Sequence, residues 1–139
     1  MRNVVSRAYF ISAFQANETL EANRMRHAEL MRVLASEGHN PTEVQGRYNG
    51  VDKLSVAVRG DQTLEREIIE MGMLLKQESI LIVYWDGAAE FVSTKPETLG
   101  DRQVVGYFNP TNLLKQGQDF SRIGELFYII EPLSSKTNC

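Results

Sequence analysis

Apolar positions along the chain change their period several times, and each change marks an element. Val4 to Phe14 is a run of β-formers that breaks at the polar Gln15-Ala16-Asn17, which predicts a first strand. Asn17 stands where it can cap a helix, with Glu18 and Glu21 in the first turn. The helical pattern that follows runs to about Glu37 and stops at Gly38. Pro41 to Gln45 predicts a short strand, Gly46-Arg47-Tyr48-Asn49-Gly50 a turn bracketed by glycines, and Leu54 to Val58 a third strand. Asp61 or Thr63 caps a second helix, in which Leu64, Ile68, Met71 and Leu75 form one stripe. Ser79 to Trp85 is the strongest strand signal, and Asp86-Gly87 turns it back through Ala89 to Ser93. A less regular tail predicts strands at Arg102 to Phe108 and Leu126 to Ile130, with a short helix starting at Pro110.

The first six elements read strand, helix, strand, strand, helix, strand. That order predicts an α+β fold of the ferredoxin-like (PII-like) βαββαβ kind, an antiparallel sheet with two helices on one face and a C-terminal hairpin and strand extension. The uncovered face of such a sheet needs a partner, and self-association is a common one. With 139 residues and no linker or repeat, residues 1–139 are expected to form a single domain.

The first helix carries an anomaly. With Leu20 placed at zero on a helical wheel, Asn23, His27, Leu30, Met31 and Leu34 share its face. An amide and an imidazole therefore occupy the half of the stripe nearest the cap. On residue type alone they form a buried pair, satisfied by backbone or by Ser12 and Gln15, that ties the helix to the first strand. The sharper alternative is a polar-lined cleft where strand one ends and helix one begins, since free backbone N–H groups point there. The two are compatible.

Composition narrows the chemistry. A formal charge of −3 argues against nucleic acid as the partner, although Arg24, Arg26 and Arg32 share one helix. One cysteine, Cys139, allows no intrachain disulfide and no thiolate cluster, and two histidines make a His-rich metal site a poor expectation. No apolar stretch reaches membrane-spanning length and no signal-peptide core is present, so a soluble, cytoplasmic protein is expected. Trp85, the single tryptophan, sits at a hairpin end and is expected in packing or at a subunit interface.

Ser12-Ala13-Phe14, Asn17, Glu21, Asn23 and Arg26-His27 form the pattern S-A-F-x-x-N-x-x-x-E-x-N-x-x-R-H. Gly46-x-Tyr48 follows, and then an acidic residue, Asp52, just ahead of a strand. Over roughly Tyr9 to Arg59 this resembles the phage S-adenosylmethionine lyase family, whose members were long described as hydrolases. One departure stands out: the family carries glutamate, sometimes two acids, where this chain has Asp52 followed by Lys53. Asp61 and Glu65 are the next candidates for that acid.

The resemblance implies a homotrimer with substrate sites between subunits. It also implies cleavage of S-adenosylmethionine to 5′-methylthioadenosine and homoserine lactone, and a role in depleting the methyl donor used by host restriction. The implied reaction asks for no metal and no cofactor, because the substrate supplies both its nucleophile and its leaving group. Asp52 would bind the ammonium or a ribose hydroxyl and Tyr48 would stand near the reacting end. Ser12, Ala13, Phe14, Gln15 and Asn17 would form the substrate contacts, supported by Asn23, Arg26 and His27. The rival expectation is a non-catalytic PII-like trimer that binds S-adenosylmethionine or an adenine nucleotide as a sensor or sponge.

Overall fold

The computed structural model describes residues 6–132 apart from 113 and 116. The expected strand start at Val4 and the terminal Cys139 lie outside the described residues. Strand β1 (Arg7–Ile11) buries both of its faces. Tyr9 and Ile11 pack into one apolar cluster, while Ala8 and Phe10 pack into a second cluster on the opposite side. Side chains alternate along a strand, so a continuous apolar run means that both faces are covered.

The first cluster lies under two helices. Helix α1 (Leu20–Ser36) contributes Leu30 and Leu34. Helix α2 (Glu65–Leu74), entered through a 3-10 turn at Gln62–Leu64, contributes Ile68. These residues meet strands β1, β3 (Val51–Gly60) and β4 (Ser79–Tyr84). Strand β2 (Thr42–Tyr48) completes the βαββαβ order, and the four strands pair β4–β1–β3–β2, antiparallel throughout.

The open ferredoxin-like (PII-like) sheet is nonetheless incorrect for this chain. Strands β5 (Ala88–Ser93), β6 (Arg102–Thr111), β7 (Phe120–Ile123) and β8 (Leu126–Pro132) continue the ladder from β4 round to β2. The result is a closed antiparallel barrel of eight strands in the order β1–β3–β2–β7–β8–β6–β5–β4. The expected C-terminal extension is half of the barrel wall. It pairs the two strands that would have been edges, and it covers the inner apolar face of β1, β3 and β4 with Phe108, Tyr128 and Ile130.

Several local readings are corrected by the same pairing. The turn between β2 and β3 is the two-residue Asn49-Gly50, with φ of 54° and 79°, so Gly46, Arg47 and Tyr48 belong to the strand. Both central residues in the left-handed region define the hairpin turn whose twist suits antiparallel strands. Pro110 lies in β6 and starts no helix. The β5–β6 pairing stops at Tyr107, so at Pro110 the strand has only β8 as a neighbour, a place that tolerates a missing N–H. Gly106, with φ of 146°, sits where β6 passes from β5 to β8, and a Cβ there would meet the Glu131 carbonyl oxygen at 1.9 Å. Trp85 is 77% exposed and is not packed in the core.

A charged network closes the seam between α2 and the sheet. Glu65 receives Arg7 and Arg102, and Arg102 also reaches Glu90, which accepts a hydrogen bond from the Tyr84 hydroxyl. Beside it Tyr9, 0% exposed, donates its hydroxyl proton to the Asp61 carbonyl at 2.7 Å. Burial pushes its pKa from the usual 10 up to about 12, against the opposing pull of Arg7. A phenol with a raised folded pKa stabilises the fold below the unfolded value and loses that contribution as pH climbs through the folded one. The protein should therefore lose stability between about pH 10 and 12. Urea melts across that range should show a shallower loss for Tyr9→Phe; an identical slope would remove Tyr9 as the cause.

Candidate functional site

The interrupted stripe of α1 has a mechanical purpose. As the chain leaves β1, Gln15 loses its neighbouring strand, and the Asn23 carboxamide replaces it. Asn23 Oδ1 accepts from the Gln15 N–H at 2.8 Å, and its Nδ2 donates to the Gln15 carbonyl at 3.1 Å. Ser12 Oγ donates to the Leu54 carbonyl and accepts from the Phe14 N–H, while Gln77 Nε2 donates to the Phe14 carbonyl at 2.8 Å. The N–H groups of residues 14 and 15 are thus taken up internally and are not free for a ligand. The helix is capped by Thr19, whose side chain accepts from the Ala22 N–H, and not by Asn17, which is exposed.

His27 faces the same junction but finds another partner. Its Nε2 lies 2.9 Å from Glu43 on β2, its ring meets the Phe14 ring edge-on, and its Nδ1 has no partner among the described residues. Arg26 pairs with Glu18 at 3.2 Å on the helix flank. Ala13 is fully buried in the helix-side core.

The β2–β3 hairpin supplies the second half of the region. Three residues fall in register across three strands: Ser121 on β7, Gly46 on β2 and Lys53 on β3. The Tyr48 ring folds back over Gly46, and a Cβ at position 46 would lie 2.3 Å from the ring. Its hydroxyl hydrogen-bonds the Ser121 hydroxyl. Burial holds the Tyr48 pKa above the ordinary phenol value, with the Ser121 bond opposing, so the group stays neutral.

Asp52 points the other way. Its carboxylate is 74% exposed and bound by Arg47 Nε at 2.7 Å, directly across the hairpin. That bond and the guanidinium charge hold its pKa below the usual carboxylate value. Neighbours along a strand face opposite sides, so Lys53 borders the barrel cavity and Asp52 does not, and the two meet only along the groove at the hairpin edge. Asp61 and Glu65, the alternative acids, are committed elsewhere: Asp61 caps the 3-10 turn through Thr63, and Glu65 holds Arg7 and Arg102.

Three adjoining hollows open at this end of the barrel. The largest, about 810 Å³, enters the barrel between Ser12, Tyr48, Lys53, Glu78 and Ser121 and ends on a wall of Phe10, Leu81, Phe91, Phe108 and Tyr128. A shallower groove of about 440 Å³ brings Phe14, Gln15 and Asn23 to Tyr48, Asn49, Asp52 and Lys53. A third, about 480 Å³, joins Asn17, Gln15 and Phe14 to Lys53, Gln77 and Glu78. The structure therefore gathers Ser12, Phe14, Gln15, Asn17, Asn23, Tyr48 and Asp52 around one mouth. It leaves Ala13, Arg26 and His27 outside these linings.

Sequence reasoning missed Lys53, Gln77, Glu78 and Ser121. Lys53 had a signal, because it shares the strand parity of Ser55 and Ala57. Ser121 had none without β7. An eight-strand barrel is wide enough to hold one small ligand, and this mouth offers aromatic walls, hydroxyls and charges of both signs.

Residues 9–131 match the sequence profile of the S-adenosylmethionine lyase family. The chain belongs to the S-adenosylmethionine lyase family. It is an enzyme that cleaves S-adenosylmethionine, and the match extends well past the motif-bearing segment that first resembled this family. No curated protein matches the chain. Among the described residues, one group of possible metal ligands occurs in this lyase: Glu37, His39 and Glu67 lie together, away from the three hollows. The neighbouring Glu67 carboxylate, which accepts a hydrogen bond from protonated Glu37, raises the Glu37 pKa there, which marks two carboxyls sharing a site. No described helix is long and apolar enough to cross a membrane.

Removing the Asn23 carboxamide leaves the part-buried Gln15 N–H without a partner among the described residues, while the Gln15 carbonyl keeps the Glu18 N–H at 3.2 Å. Asn23→Ala should cost about 1–3 kcal/mol of stability in urea denaturation. No measurable loss would show that water replaces the amide.

Proposed function

We propose that this lyase closes its substrate on itself. The substrate's carboxylate oxygen forms a bond to its own γ-carbon, the γ-carbon–sulfur bond breaks, and the bonding pair leaves on sulfur. The products are 5′-methylthioadenosine and homoserine lactone, with every atom coming from S-adenosylmethionine and no activated water needed. One observation carries the location: the N-terminal motif and the Tyr48 hairpin, about thirty residues apart, border one groove that adjoins the barrel cavity.

The chemistry asks chiefly for geometry. The carboxylate must be held behind the γ-carbon in line with the departing sulfur, and such orientation contributes up to about 7–11 kcal/mol in the best intramolecular cases. A cation and an anion merge into neutral products along the path, so a site drier than water favours the transition state. The wall of Phe10, Phe91, Phe108 and Tyr128 supplies that dryness and offers ring faces to adenine and sulfonium, with the Tyr128 hydroxyl as its one heteroatom. Neutral Tyr48, locked over Gly46 and tied to Ser121, stands at the boundary between cavity and groove.

Asp52 would receive the ammonium or a ribose hydroxyl at the rim, in exchange for part of its contact with Arg47. Leu20 and Val51 leave apolar surface exposed beside the groove, and Met25 does so farther along α1, which supports seating neighbouring copies of a homotrimer there.

Purified protein incubated with S-adenosylmethionine should release methylthioadenosine and the lactone, both visible by mass spectrometry. Homoserine carrying oxygen from labelled water on the first turnover would instead mean hydrolysis. Tight binding without product over hours would leave only a sensor or sponge. Tyr48→Phe should lower turnover about tenfold and Asp52→Asn more than that. Near-normal rates for Asp52→Asn would assign the acid to another residue. Light scattering that finds a single chain at working concentration would remove the trimer.

A further inference from the structure

The large cavity holds an uneven set of charges. Its acids are Glu78 and Asp119, and among the described residues Lys53 is the one cation in its lining. Among the described residues, Lys53 is also the one that borders all three hollows at this mouth. No ion pair within the described residues occupies it, although Glu78 is near enough to act on it electrostatically. Burial lowers its pKa, the mark of an ammonium short of solvent and of a tight counter-ion.

The backbone explains how a lysine is kept there. Lys53 faces Gly46 across the β2–β3 ladder, and the Tyr48 ring lies over Gly46 on that side. A side chain at position 46 would collide with that ring. Lys53 therefore shares the side of the hairpin that carries the Tyr48 ring, and it borders both groove and cavity.

S-adenosylmethionine carries two cationic groups, sulfonium and ammonium, and a single anion, its carboxylate. We infer that Lys53 binds that carboxylate and so fixes the end of the substrate that must attack. This inference rests on the intramolecular cleavage proposed above. Held through one oxygen by Lys53, the carboxylate keeps its second oxygen free to reach the γ-carbon. Glu78 and Asp119 remain available to the ammonium on the same rim.

A charge that grips the carboxylate stabilises the bound zwitterion at least as well as the neutral lactone. Its benefit lies in capture and register, so its loss should fall on KM more than on kcat. Lys53→Met and Lys53→Arg separate this from packing when binding is measured by calorimetry with three probes. The probes are S-adenosylmethionine, its decarboxylated analogue, and methylthioadenosine.

Lys53→Met should weaken S-adenosylmethionine at least about tenfold while leaving the two carboxylate-free probes within about twofold. Lys53→Arg should recover part of the loss. Equal weakening of all three probes, or unchanged affinity for S-adenosylmethionine, would overturn the assignment. The cleavage assay on the unaltered enzyme keeps the two ideas apart. Absence of lactone there overturns the reaction, whereas carboxylate-selective binding reports on Lys53 alone.

Discussion

Closure of the sheet governs everything else in this molecule. Strands β4 and β2 would each end a four-stranded sheet with a row of unpaired N–H and C=O groups. Strands β5, β6, β8 and β7 take up both rows and return the ladder to its start. Once the ring is shut, residues of one parity on β1, β3 and β4 face the helices and those of the other parity face an interior. The interior is too narrow to be a channel and too wide to be filled at its ends. Aromatic and aliphatic side chains fill its waist, and the mouth beside the Tyr48 hairpin becomes the cleft.

Precision at that mouth comes from groups that never need to touch a ligand. The Asn23 amide stands in for a missing strand at Gln15, Gln77 holds the Phe14 carbonyl, and Ser12 ties the same turn to β3. On the opposite rim, Tyr48 is pinned from below by Gly46 and at its tip by Ser121. The intramolecular cleavage proposed above depends on such support, because small displacements of a folded substrate cost rate steeply.

How far the sequence led depended on the range of the interaction involved. The order of the first six elements was readable, because periodicity and capping are local. Asn23 was also readable as a tie between helix and strand, and its partner Gln15 was among those named. The partner of His27 was not, because Glu43 reaches it from a strand sixteen residues away. The open-sheet architecture failed for a related reason. The Ile80-Leu81-Ile82-Val83 run is apolar at both parities, which a sheet covered on one face does not require, and the structure sends Ile80 and Ile82 to the helices and Leu81 and Val83 inward. Strand β7, with four residues and a polar lead-in, has no local signature, so the ring could not be closed on paper. Family membership survived this error, since it rests on side chains at fixed offsets and not on how the sheet ends.

The waist has one more implication. Phe10, Phe108 and Tyr128 interlock, with ring centroids 5.2 and 4.9 Å apart, and all three also border a second hollow at the opposite end of the barrel. They form a bulkhead, so the interior is two blind chambers and not a tunnel. Whatever enters beside Tyr48 has to back out past the same residues, so one mouth would serve both entry and exit.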